Sequence, residues 1–319
     1  MADFAPLPDP LNAHGSPRLT GVEIEIGGLE EADCARVCAR YLNGRAVQRD
    51  AVIWTVEQST LGRLQIYLDT ALRKFGESAL RDAALSLGRE VIPVEIVTEP
   101  LDRDGLQRLD GLREELRKAG AIGSGGGIFF GFGVHLNVEI SSGDSAGVVP
   151  PLLAYALIED WLRALDPIDN MRRLLPFADP YPTSLVRALI TLGPDARLTD
   201  VIDAYILATT SRNHALDMLP VFAHLDRPRV REVLTEASSA RPAFHFRLPD
   251  CRIDEPEWTL AREWHRWLLV ERVARDRVLL EELSARWLEE HGVVALSRTA
   301  WAAAAGEILS RHGVPGTGS

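Results

Sequence analysis

The stretch GVEIEIGGL at residues 21–29 constrains this chain more than any other. Its β-branched, apolar run reads as a strand, and a strand points successive side chains to opposite faces. Glu23 and Glu25 then share one face, while Val22, Ile24 and Ile26 share the other. Two like charges held side by side repel, so a strand of this kind needs either water or a cation beside it.

The arrangement recurs along the chain. In LQIYLD (64–69), Leu64, Ile66 and Leu68 face one way and Gln65, Tyr67 and Asp69 the other. In PVEIVTEP (93–100), Glu95 shares a face with Val97 and Glu99. In GFGVHLNVEI (131–140), Val134, Leu136 and Val138 oppose Gly133, His135, Asn137 and Glu139; in FHFRLPD (244–250), Phe244 and Phe246 oppose His245 and Arg247. Antiparallel strands with one wet face would account for any single pair. Solvated faces usually mix in lysine, however, and none of these five strands contains one. Their ionisable residues are Glu, Asp, His and Arg, a set used together in metal and phosphate chemistry. Carboxylate oxygens suit Mg²⁺ or Mn²⁺, and one or two histidines exclude neither.

Bulk properties narrow the function classes. With 319 residues, 46% of them hydrophobic, the chain can bury a sizeable core. Its 35 basic and 46 acidic residues leave a net charge of −11, and no basic run reverses it, so nucleic acid is not an expected partner. No stretch reaches the roughly 18 apolar residues of a membrane span. The acidic, Pro-rich MADFAPLPDPLNAHGSP does not read as a secretory leader. Three cysteines, Cys34, Cys38 and Cys251, suggest a reducing, cytoplasmic setting without a disulfide framework. Cys34 and Cys38 lie one helical turn apart, and without two further ligands they read as ordinary helix residues.

Periodicity predicts strands at 20–27, 51–57, 63–69, 92–98, 128–140 and 243–249, and helices near 30–42, 71–87 and 103–119. Beyond Pro150 and Pro151 helical spacing dominates, through LLAYALIEDWLRALD, LTDVIDAYILATTSR, NHALDMLPVFAHL and PRVREVLTEA. A long amphipathic helix is predicted from about Glu257, with Trp264, Trp267 and Leu268 on one face. The expected organisation is an irregular lead-in (1–17), one continuous domain (18–311), strand-rich over 18–150 and helix-rich over 151–311, and a frayed tail (312–319). The glycine cluster GSGGGIFFGFG (123–133) lacks the Lys-Ser/Thr of a phosphate loop and precedes a strand, so it reads as a flexible connection that could cover a site. Ser59, Ser211 and Cys251 have no nucleophile-elbow context. His14, His224, His265, His291 and His312 match no metal-binding motif, and His214 reads as structural despite its nearness to Arg212 and Asp217.

In this order, the motifs GVEIEIGGL, LQIYLD, IPVEIVTEPL (92–101), FGVHLNVEI (132–140), SRNHALDMLPVFAHLD (211–226) and FHFRLPDCRIDEPEW (244–258) resemble the amidoligase family. That family belongs to the carboxylate–amine ligase superfamily, related to glutamine synthetase and glutamate–cysteine ligase. The resemblance covers residues 18 to about 290 and includes the connecting segment from Leu152 to Pro182. It implies an α+β fold: a curved antiparallel sheet of the glutamine-synthetase-like type around an ATP and metal site, helices on its outer face, and a helical C-terminal half. It also implies that ATP phosphorylates a small-molecule or peptide carboxylate, and that an amine then attacks the acyl phosphate.

By motif, Glu23, Glu25, Asp69 and Glu95 would be metal ligands, and His135 would touch metal or nucleotide phosphate, with Asn137 beside it. Arg212 and Arg247 match arginines expected near phosphate or substrate carboxylate; for Arg212 a solvated helix end is an equal alternative. The chain departs from the pattern at three places. Tyr67 replaces a glutamate, Glu99 replaces a turn proline, and His245 stands where the superfamily often has Glu in an E-x-R pair, a position from which a histidine can still ligate metal. An ATP- and Mg²⁺- (or Mn²⁺-) dependent ligase is therefore the first expectation. A family member without activity, serving as a ligand- or protein-binding module, is the second. A metal-dependent hydrolase or phosphotransferase on the same strands is the third. Substrate identity and oligomeric state are not legible in the residues.

Overall fold

The apolar halves of the alternating strands determine where the layers go. A computed structural model describes residues 3–68, 93–124, 131–167, 178–233, 240–291 and 297–315. In chain order its elements are β1 (Thr20–Ile26), α1 (Glu31–Tyr41), β2 (Arg45–Asp50), β3 (Ile53–Ser59), β4 (Gly62–Leu68), β5 (Val94–Thr98), α2 (Arg103–Lys118), β6 (Val134–Glu139) and α3 (Ser145–Leu165). They continue with α4 (Thr183–Leu192), α5 (Leu198–Ala208), β7 (Leu216–Asp217), α6 (Leu219–Leu225), α7 (Arg227–Val230), β8 (Ala243–Phe246), α8 (Leu260–Arg275), α9 (Arg277–Glu290) and α10 (Arg298–Arg311). All eight strands join one antiparallel sheet in the order β2-β3-β4-β5-β1-β6-β8-β7, giving a mixed α+β architecture with an open sheet. β1, which carries the paired glutamates, is an interior strand between β5 and β6.

One sheet face is the core. Val22, Ile24, Ile26, Leu64, Ile66, Ile96, Val134, Leu136, Val138, Phe244 and Phe246 are all buried there. Helices cover this face: the Trp267 ring of α8 packs on Phe244 and Phe246 at 5.0 and 5.5 Å between centroids, and Tyr155 of α3 meets Phe246 at 6.1 Å. The helices start where capping chemistry directs them. Asp102 accepts from Gly105 N, Asp144 from Gly147 N and Thr259 from Arg262 N, each satisfying a donor that the first helical turn leaves open.

Several sequence expectations are revised. The strand expected at 51–57 begins at Ile53, and the unforeseen β2 before it forms a hairpin with β3. The change of character at Pro150 and Pro151 falls inside α3, which starts at Ser145 and runs through both prolines. The helix expected over 213–225 is interrupted: Leu216–Asp217 pairs with β8, and only Leu219–Leu225 is helical. The cause is local and tertiary together, since the Asp217 carboxylate accepts from Leu219 N and Leu216 O accepts from the Tyr181 hydroxyl. Of the helix expected over 228–237, the described part is helical only as far as Val230. The helix expected at 71–87 lies outside the described residues.

The N-terminal segment is irregular, as its composition suggests, but it is built into the core. Phe4 and Leu7 are buried, and Trp264 Nε1 donates to Ala5 O. Arg18 forms a buried two-pronged pair with Glu271 of α8 at 2.7 and 2.9 Å. Glu139, expected on the polar face, accepts from Asn12 Nδ2 and Leu19 N, so it anchors this segment. Among the described residues, no helix is long and apolar enough to cross a membrane.

Candidate metal and anion site

The polar face of the sheet is assembled by register. Glu23 lies opposite His135 on β6, Asn137 opposite His245 on β8, and His245 opposite Asp217 on β7. On the other side Glu25 lies opposite Glu95 on β5, and Glu95 opposite Tyr67 on β4. Residues from six strands thus line one continuous strip.

At its centre Glu23 accepts from His135 Nδ1 at 2.6 Å and from Asn137 Nδ2 at 2.8 Å. His245 Nε2 faces the same carboxylate at 3.9 Å, and the two imidazoles meet edge to face at 5.3 Å. Glu23, His135 and His245 each offer a ligand atom within 4.8 Å of the others, the one such group among the described residues. His245 is buried, and its Nε2 has no hydrogen-bond partner among the described residues. Its Nδ1 stands 3.5 Å from Asp217 Oδ2, long for a hydrogen bond. With Nδ1 turned to that carboxylate, Nε2 is left as a buried lone pair without a partner, costly unless something else takes it, so this donor set fits a divalent ion.

The electrostatics follow from burial and pairing. Burial pushes His245 down to about 3, against the pull of Asp217 and Glu23, so its ring is neutral near pH 7 and keeps a lone pair. Burial raises the Glu23 carboxyl, but the hydrogen bond and charge of His135, with Arg241, outweigh it and hold the group well below its ordinary value. Asp217, fully buried, is likewise held low: His245, Arg212 and Arg247 overcome its burial.

The remaining expected residues divide by position. Glu25 Oε2 accepts from Gly133 N at 2.6 Å, and its Oε1 stands 3.7 Å from His135 Nε2; neither Glu25 nor Glu95 joins the tight triad. Asp69 lies outside the described residues. Arg247 follows β8 directly, and its guanidinium donates to Arg212 O at 2.8 Å. Arg212 Nε donates to Asp217 at 3.1 Å, so both arginines gather beside His245. His214 sits between Thr209 Oγ1 and Asp179 O, and His291 stacks on Trp287 at 4.0 Å. Cys34 and Cys38 are buried in α1. Of the glycine cluster, 125–130 lies outside the described residues, while Gly123 N donates to Asp254 and Gly133 N to Glu25.

Two residues escaped the sequence reading. Arg241 stands 3.6 Å from Glu23 Oε1, and Asp217 backs His245. Arg241 lies two residues before β8, outside the strand read from the sequence. Asp217 was hidden by the helical spacing around it.

The family described as "Putative amidoligase enzyme" matches residues 16–269, a span that contains every strand of the sheet. No curated protein and no solved structure matches the chain.

Proposed function

The chain belongs to the amidoligase family, and from that premise we propose that it is an ATP- and divalent-metal-dependent ligase joining a carboxylate to an amine. The observation that carries this reading is the triad of Glu23, His135 and His245 on the polar sheet face, flanked by Arg241, Arg212 and Arg247. These three residues would hold the ion, Mg²⁺ or Mn²⁺ by the sequence expectation. A bound ion neutralises charge that develops on phosphate oxygens. The chain's own work is positioning and electrostatics. The arginines set positive charge beside His245, where a phosphoryl group or a substrate carboxylate would be held. Asn137 holds Glu23 Oε1 and His135 holds Oε2, the oxygen that His245 Nε2 also faces. Glu25 and Glu95 stand directly opposite each other on neighbouring strands, beside the triad.

In this reading the open antiparallel sheet, polar on one face and helix-covered on the other, is of the glutamine-synthetase-like type. Residues 18–311 act as one catalytic unit in the cytoplasm, on small-molecule or peptide substrates. ATP would transfer its γ-phosphoryl group to the substrate carboxylate, and the amine would displace phosphate from the acyl phosphate. The test is calorimetric titration of the purified chain with ATP analogue, with and without divalent ion. Binding should require the ion and vanish in Glu23→Ala and His135→Ala; unchanged binding in both variants would remove the metal assignment.

A second reading has its own observation. Tyr67, opposite Glu95, stands where the family pattern carries a carboxylate. A chain that keeps the fold and binds a ligand or a partner protein without turnover would show metal-dependent nucleotide binding but no ADP release across a broad panel of acids and amines.

A further inference from the structure

The side chains around the triad differ in chemistry from an all-oxygen site. We infer that the ion held by Glu23, His135 and His245 is a first-row transition ion, in the range Fe²⁺ to Zn²⁺, bound in preference to Mg²⁺; the inference rests on the metal-dependent reading above. Two of the three ligand residues offer imidazole nitrogen and one offers carboxylate oxygen. Mg²⁺ takes oxygen ligands and gives up its water reluctantly, whereas imidazole suits the transition ions. Two histidines and one carboxylate also leave coordination positions for substrate or water.

The residues behind His245 point the same way. Its Nε2 faces Glu23 with no hydrogen-bond partner among the described residues, and its Nδ1 faces the Asp217 carboxylate at 3.5 Å. Asp217 is fully buried and is itself held by Arg212 Nε and Leu219 N, both at 3.1 Å. A carboxylate behind one ring nitrogen, with the other nitrogen aimed at the ligand cluster, is the usual support for a metal-binding histidine. A Mg²⁺ site would need no such support at this position. A glutamate at 245, as the wider superfamily often has, would supply oxygen directly.

The experiment uses the full chain stripped with chelator and titrated separately with Co²⁺, Zn²⁺ and Mg²⁺ by calorimetry. Co²⁺ or Zn²⁺ should bind more tightly than Mg²⁺ by about tenfold or more. His245→Glu should narrow that gap by strengthening Mg²⁺, and His245→Gln should weaken the transition ions most. Ring-nitrogen NMR of the unmodified chain should show two histidines shifting with Zn²⁺, which keeps the inference falsifiable if a variant fails to fold. Equal or tighter Mg²⁺ binding, no ion binding, or no histidine shift would overturn it. ADP release supported by Mg²⁺ alone, with Mg²⁺ binding the tighter, would sink this inference and leave the ligase standing. A transition-ion preference without ADP release would do the reverse.

Discussion

His245 concentrates the consequences of burial at a single residue. Its ordinary value is 6.5 and the folded value about 3, so between these the unfolded state binds more protons than the folded state. Stability of the metal-free chain therefore falls as pH falls through that window, by at most about 1.4 kcal/mol per pH unit. We expect His245→Gln to flatten this part of a stability-versus-pH curve from urea denaturation; a slope equal to wild type would mean the ring is not buried neutral. Glu23 adds loss at the acid end. Its carboxyl is depressed below 4.5, so the stability it contributes is present above that value and is lost as pH falls through the folded one. Arg241, two residues ahead of β8, reaches Glu23 only through the fold.

At the scale of elements, the two-residue strand β7 is the least expected part and bears directly on the site. It brings Asp217 opposite His245 on β8. Asp217→Asn keeps the shape and removes the charge. The expected outcome is a metal affinity lower by about 10- to 100-fold, with an unchanged far-ultraviolet spectrum, as for other groups that orient a ligand. Unaltered affinity would show that β7 is structural only. β8 in turn rests on α8 through Trp267, which is fully buried against Phe244 and Phe246. Trp267→Ala should cost about 3–5 kcal/mol in chemical denaturation, because the cavity left beneath two aromatic rings cannot fully collapse. Trp267→Phe should cost less and leave metal binding in place.

Across the whole molecule, the N-terminal segment and α8 are tied by Arg18 and Glu271, with side chains only 2% and 6% exposed. Removing one member leaves a buried charge without its partner, so Arg18→Met should destabilise by about 3–5 kcal/mol. The pair replaced together, Arg18→Met with Glu271→Leu, should recover most of that loss. A double-substitution cycle by urea denaturation reads the difference, and a double variant as unstable as the single one would show that the other partners of Arg18 dominate. The same pair helps fasten the irregular, Pro-rich segment whose Phe4 and Leu7 enter the core.

What the sequence by itself determined was the faces. Alternation is a local property of extended backbone, so Glu23, Glu25, His135, Asn137 and His245 were assignable to polar faces before any strand was placed, and six motifs in order named the family. Strand register decided the rest. Glu23 stands opposite His135 rather than Glu95, Glu25 faces Glu95 outside the triad, and Asp217 leaves a helical pattern to pair with β8. Register depends on contacts between residues far apart in the chain and on which core each strand can bury. No window along the sequence contains that information, and only the folded sheet selects which carboxylate meets which imidazole.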